Sequence, residues 1–187
     1  GSFISLSEIV ITRTAYRLTT KLHEDYPNAI EQLSKGHAYD MSTNIFDRLP
    51  QVFFSEEPKD GDEYARILGR TGNVRSYRYI KRKYINDVVN YDKFKIFLPK
   101  ANGSGSFGEV ISQPLIAEPK TGSTETFLSI GIFNSIEEAE NCLKYIKCKV
   151  SRAMLGVLKT TQDLTPDKWK YVPLQDFSAL SDIDWSK

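Results

Sequence analysis

The residues best able to do chemistry in this chain are the basic side chains between positions 66 and 100. That segment holds ten basic residues against two acidic ones, so it carries +8 while the whole chain carries +1. Such an imbalance within one chain indicates a polyanionic partner and says nothing of the fold. Tyr77, Tyr79 and Tyr84 are interleaved with the cations, which are Arg66, Arg70, Arg75, Arg78, Lys81, Arg82, Lys83, Lys93, Lys95 and Lys100.

Two interpretations of this basic segment stand side by side. Arginine and lysine neutralise phosphates, and arginine also hydrogen-bonds guanine edges in the major groove of DNA. The same residues are equally typical of a solvated strand face whose lysines keep it soluble. Arg75 and Arg78 lie near a predicted hairpin tip, a position from which they could reach into a groove.

Two polar loops provide further candidate contacts. Residues 100–108 are rich in glycine and serine, which permits close approach of the backbone to a ligand. Residues 120–126 are rich in hydroxyl groups, which can contact phosphates or bases. Each loop is also typical of a plain connection between strands. The full candidate DNA-binding set is Arg70, Arg75, Arg78, Lys81, Arg82, Lys100, Asn102, Ser104, Lys120, Thr121, Ser123 and Thr124.

The elements that must position these residues are several strands and one long helix. Ser135 and Glu138 form a capping-box pattern, after which apolar residues recur at spacings of three and four to about residue 160. We therefore predict an α+β fold: a twisted, mainly antiparallel sheet with a long C-terminal helix packed against it. The other predicted elements are a hairpin over 63–80 that turns at 70–73, strands at 94–98, 115–117 and 127–133, a strand-like run at 52–54 and a helix over 28–35.

The chain lacks the patterns that enzymatic chemistry would need. Pro-Pro, part of the motif that holds a flipped adenine in methyltransferases, does not occur, and the glycine-rich loop ends without a phosphate-binding lysine. His23 and His37 have no ligand-like spacing to Cys142 and Cys148, so neither a zinc site nor a histidine-based triad is supported. We expect no catalytic residue, no metal and no cofactor in this chain, and reduced cysteines.

Several stretches in the second half of the chain resemble the C-terminal region of restriction-modification adenine-specific DNA methyltransferases. They are KIFLPKANGSG at 95–105, Pro119 followed by STETFL at 123–128, EAEN at 138–141, KYIKCK at 144–149, WKYVPLQDF at 169–177 and SDIDWS at 181–186. The closing segment is the most specific of them. The resemblance covers residues 93–187 and is diffuse over 3–92.

The resemblance implies that residues 3–187 form a DNA target-recognition domain, with a variable part at 3–92 and a family-like part at 93–187. We interpret Gly1-Ser2 as the remnant of a cleaved expression tag. The partners implied are double-stranded DNA and a methyltransferase domain of the same polypeptide, which would bind S-adenosylmethionine. No membrane partner is expected, because no apolar run is long enough to span a bilayer. A cytoplasmic location is expected because no secretory signal is evident, and the resemblance implies that it is bacterial.

Two other functions remain open from the sequence. The chain could be an interaction module that docks a nuclease or a methyltransferase subunit. It could also be a nuclease in its own right, for which the nearest acidic and basic candidates are Glu63, Glu118 and Lys120.

Overall fold

The computed structural model describes residues 2–72, 74–100, 114–158 and 164–187, and it has the predicted α+β fold. The chain divides into two compact units, each of which draws on both the variable and the family-like part of the sequence. Unit 1 comprises Gly1–Thr12, Asp92–Pro119 and Leu128–Lys187, and unit 2 comprises Arg13–Tyr91 and Lys120–Phe127.

The strands and helices within the described ranges are short. The strands are β1 (Val10–Ile11), β2 (Tyr64–Thr71), β3 (Val74–Lys81), β4 (Phe94–Pro99), β5 (Leu115–Ala117), β6 (Thr121–Ser123) and β7 (Phe127–Phe133). The α-helices are α1 (Thr20–Asp25), α2 (Ile45–Arg48), α3 (Ile136–Lys147) and α4 (Lys149–Leu158). Single 3-10 turns occur at Leu6–Ile9, Pro27–Gln32, Arg82–Tyr84 and Pro166–Trp169.

The strands form two sheets rather than the single sheet predicted. The order is β1-β7-β4-β5 in one sheet and β3-β2-β6 in the other. Strands β1 and β7, β2 and β3, and β4 and β5 pair antiparallel, whereas β2 and β6 pair parallel. The predicted strands at 94–98, 115–117 and 127–133 are confirmed as β4, β5 and β7.

Helix α3 begins at the predicted capping box. The Ser135 hydroxyl accepts from the Glu138 N–H, and the Glu138 carboxylate accepts from the Ser135 N–H. This reciprocal pair satisfies two backbone donors that a helix start leaves open. The helix then buries Ala139, Cys142 and Ile146 in the core of unit 1.

The prediction of a single long helix over 136–160 is wrong, because the helix is interrupted at Cys148. That residue is extended (φ −66°, ψ 157°), and its N–H bonds the Tyr145 carbonyl at 3.1 Å. Its thiol then accepts from the Ser151 N–H at 3.5 Å, as an N-cap does for the helix that follows. The break redirects the apolar stripe, so that Val150 is 59% exposed.

The predicted hairpin of unit 2 is confirmed as β2 and β3. Tyr64 pairs with Lys81 at one end and Thr71 with Val74 at the other. Gly72, in the turn, has φ +59°, which glycine adopts at no steric cost. One face of the hairpin lies in the core of unit 2 with α2, through Ala65, Ile67, Ile80, Ile45, Phe46 and Leu49.

Two local predictions fail in unit 2, and a third is confirmed in part. Residues 121–123 are strand β6 and not part of a loop. The run 52–54 is a turn that contributes only one isolated bridge, from Phe54 to Tyr79, although Val52 and Phe53 are buried. The helix predicted over 28–35 is the 3-10 helix Pro27–Gln32. In the first two cases, pairing or burial by partners remote in sequence outweighs the local pattern.

Both cysteines are free, Cys142 buried and Cys148 half-buried. Burial raises the pKa of the Cys142 thiol. No helix in the described ranges is long and apolar enough to cross a membrane.

Candidate nucleic-acid interface

The exposed end of the β2–β3 hairpin is the most prominent feature of unit 2. We use "hairpin tip" for Thr71, Gly72 and Val74, all exposed, with Val74 exposed to 69%. Directly paired residues of an antiparallel ladder share a face, and successive residues alternate between faces. Because Arg70 pairs with Arg75 and Ile67 with Arg78, the arginines nearest the tip occupy both faces of the hairpin.

On the first face, arginine guanidinium groups lie over aromatic rings. The Arg66 guanidinium is 4.6 Å from the Tyr77 ring centroid, and that of Arg75 is 5.3 Å from the Phe127 centroid. Burial lowers the pKa of Arg75. Arg70 is its cross-strand neighbour. The face therefore combines positive charge with π surface, the combination that phosphates and bases both favour.

On the second face, Arg78 is held in place by neutral groups. It donates from Nη1 to the Tyr77 carbonyl at 2.9 Å and from Nη2 to Thr71 Oγ1 at 3.1 Å. Its guanidinium carbon lies 5.7 Å from the Phe46 ring centroid. Phe46 comes close because Gly69 has no side chain, since a Cβ there would lie 2.6 Å from the ring.

The basic residues at the other end of the hairpin are already neutralised. We call Lys81, Arg82 and Lys83 the hairpin foot. Lys81 donates to Asp62, which raises the pKa of the lysine, and Arg82 donates to Asp87. Lys83 pairs with Asp25 at 3.1 Å. A phosphate would have to displace these carboxylates, so the foot offers less net charge than its sequence indicates.

Of the two predicted polar loops, the structure describes Lys100, in unit 1, and residues 120–126, in unit 2. Lys100 is half-buried, and its carbonyl accepts from the Leu164 N–H at 2.7 Å. Asn102 and Ser104 lie outside the described residues. Lys120 is exposed in the left-handed conformation (φ 62°), with its Nζ 4.0 Å from Glu63.

The loop interpretation is wrong for Thr121 and Ser123, which lie in β6, and Thr124 follows the strand directly. All three are buried, being 2% exposed or less, because β6 pairs with β2 and Thr124 donates its N–H to the Leu68 carbonyl at 2.9 Å. Their hydroxyl groups are thus not part of the surface that Arg70, Arg75 and Arg78 present. Sequence reasoning treated polar composition as exposure, and the short strand gave no periodic signal to correct it.

A polar pocket of about 530 Å³ also lies in unit 2. His37 and Asp40 line it, with Nδ1 and Oδ2 2.6 Å apart, together with Ser42, Asn44 and Glu125. Arg17 pairs with Asp40, and Arg13 with Glu125, at 3.3 Å and 3.6 Å. Within the described ranges, no group of three or more His, Cys, Asp or Glu residues is arranged to hold a metal ion.

Sequence reasoning missed the residues that orient Arg78. Thr71 and Ser76, whose hydroxyl oxygens are 2.8 Å apart, and Phe46 were not candidates. The pairing register could have identified Thr71, but Phe46 lies 32 positions before Arg78 and no local signal links them.

Comparison with protein-family models, with curated proteins and with solved structures finds no match to this chain.

Proposed function

We propose that this chain recognises a specific sequence in double-stranded DNA for a type II restriction-modification adenine methyltransferase. The observation that carries the proposal is the exposed hairpin tip with Arg70 and Arg75 on one face and Arg78 on the other. A two-stranded ribbon fits the major groove, which is about 12 Å wide, and arginine is the side chain that most often reads bases there. The C-terminal resemblance supplies the enzyme class.

The proposed roles of the hairpin, the other basic side chains and the methyltransferase domain follow from their chemistry. The hairpin enters the groove, other basic side chains contact the phosphates, and a methyltransferase domain of the same polypeptide modifies N6 of an adenine that has left the stack. Target recognition itself requires no catalytic group or cofactor, and S-adenosylmethionine would bind to the methyltransferase domain. The setting implied is a bacterial cytoplasm.

A selection experiment tests the proposal directly. The 187-residue chain would be incubated with a pool of randomised duplexes, and the bound fraction sequenced over several rounds. We expect one short motif to be enriched, and specific affinity to exceed non-specific affinity by roughly a thousandfold or more. Recovery of an unenriched pool would reject DNA target recognition. In the full-length enzyme, exchanging this region for that of a relative should transfer the methylated sequence as well.

A docking role for unit 1 is the second candidate function. A groove of about 520 Å³ is lined mainly by apolar side chains of α3, α4 and the C-terminal segment, among them Tyr145, Val150, Met154, Ile183 and Trp185. Exposed apolar patches often mark protein-binding sites, in this proposal for a nuclease or methyltransferase subunit. Val150→Asp should abolish co-purification with such a subunit and leave the selected DNA motif unchanged.

A further inference from the structure

The guanidinium of Arg78 is oriented before any ligand arrives. Two of its five N–H donors are engaged, one by the Tyr77 carbonyl and one by Thr71 Oγ1. The Phe46 ring limits its movement on another side. Among the described residues, no carboxylate lies within ion-pair distance of Arg78, unlike Lys81 and Arg82 of the hairpin foot.

The side chain of Arg78 also extends toward the exposed end of the ribbon. Its backbone pairs with the buried Ile67, but its Nη2 reaches Thr71, four residues nearer the turn on β2. Thr71 is exposed and is in turn held by Ser76. The guanidinium is therefore placed beside the hairpin tip and is not left at the level of its own backbone.

We infer that Arg78 reads a guanine in the major groove and that Thr71, Ser76 and Phe46 are its positioning residues. Guanine presents two acceptors there, N7 and O6, which match two parallel N–H donors of a guanidinium. Three N–H donors of Arg78 remain for that purpose. The inference rests on the proposed function and deepens it, because it assigns one base to one side chain.

The fixed orientation is what separates base reading from phosphate binding. A phosphate accepts hydrogen bonds from many directions, so a lysine can bind it as a point charge, without a fixed plane of donors. A bidentate contact needs a planar donor pair at a set angle, and holding that angle in advance reduces the entropy lost on binding. Replacement of Arg78 by lysine, which keeps the charge, distinguishes the two roles.

The experiment compares Arg78→Lys with wild type on two duplexes: the motif enriched from the random pool, and the same motif with one G·C pair changed to A·T. Wild type should prefer the guanine duplex by roughly tenfold to a hundredfold, and Arg78→Lys should lose most of that preference. The affinity of Arg78→Lys for non-specific DNA, and the salt dependence of that affinity, should stay within about twofold of the wild-type values. Thr71→Val, which removes only the hydroxyl, should lose part of the preference in the same direction.

Arg48→Lys is the matched control, because Arg48 also donates from Nη1 to a carbonyl in unit 2, that of Gln32 at 3.0 Å. It should retain the full guanine preference. If wild type enriches no motif, DNA recognition itself is rejected. If a motif is enriched but contains no guanine, or if Arg78→Lys keeps the preference, only the role of Arg78 is overturned. If Arg78→Lys loses the same affinity on both duplexes and its binding depends less steeply on salt, Arg78 contacts a phosphate instead.

Discussion

Gly69 controls how closely the Phe46 ring approaches the hairpin. A Cβ at this position would lie 2.6 Å from one Phe46 carbon and 2.8 Å from a methyl carbon of Thr124. Gly69→Ala should therefore lower the free energy of unfolding by about 1–3 kcal/mol through overpacking. Urea denaturation measures the change. Val74→Ala, at the exposed tip, should stay within about 0.5 kcal/mol of wild type, and an equal result for the two variants would contradict the packing argument.

Asp25 links stability to pH through three donors. Lys21 lies 2.9 Å from its carboxylate, the Tyr84 hydroxyl 2.9 Å and Lys83 3.1 Å, and Lys21 is the main cause that holds the pKa of Asp25 below its usual range. A carboxyl whose pKa is depressed on folding contributes stability above its unfolded pKa, and the contribution is lost as pH falls through the folded pKa.

We therefore expect Asp25→Asn to be less stable than wild type at pH 7 and the difference to shrink steadily below about pH 4. Thermal unfolding at a series of pH values measures it. Glu24→Gln is the control, since among the described residues the Glu24 carboxylate is ion-paired with Lys21 alone, at 3.4 Å, and the variant should not reproduce the trend. A wild-type advantage that persists unchanged at low pH would contradict the assignment.

At the scale of elements, the sequence predicts the elements that depend on neighbouring residues. It misses those that depend on partners distant in sequence. The hairpin is predictable because Gly72 and the alternating pattern lie within a few residues of each other. The capping box of α3 is equally local. Strand β6 is not predictable in this way, because Thr121 pairs with Arg66, 55 positions earlier. The candidate site divides similarly, since the arginines are evident in the sequence but their orienting contacts are not.

The break between α3 and α4 yields a test at the scale of elements. The Cys148 thiol accepts from the Ser151 N–H as a cap, and a hydroxyl is the stronger acceptor. Cys148→Ala should cost about 0.5–1 kcal/mol of unfolding free energy, whereas Cys148→Ser should match or exceed wild type. Guanidinium denaturation of the three proteins gives the order. If alanine and serine are equivalent, the thiol is not a cap.

For the whole molecule, the number of basic residues in the segment overstates the charge available to a polyanion. Asp62 and Asp87 act as internal counterions of the hairpin foot. Asp62→Asn with Asp87→Asn should raise DNA affinity and steepen the plot of log affinity against log salt by about one unit, since each phosphate contact contributes about 0.9 and Lys81 keeps Asp60 as a second partner at 3.8 Å.

Binding measured by fluorescence anisotropy at several KCl concentrations gives these slopes. Asp47→Asn with Glu57→Gln changes the net charge of the chain by the same amount at two exposed positions, neither of which is ion-paired with the foot among the described residues. Parallel salt plots for the two double variants would show that overall charge, and not release of Lys81 and Arg82, is responsible.

Unit 2 takes its third strand from a distant part of the chain. Residues 13–91 fold together with residues 120–127, so the chain passes between the units four times. An exchange of residues 13–91 between two such proteins would leave β6 behind, and the incoming hairpin would have to accept the recipient's strand. Backbone pairing tolerates that, but a Cβ at position 122 would lie 3.0 Å from the Tyr16 ring, so the ring would have to shift by a few tenths of an ångström. A transplantable form of the proposed recognition unit must therefore be discontinuous, or its recipient must leave room for the Tyr16 ring beside position 122.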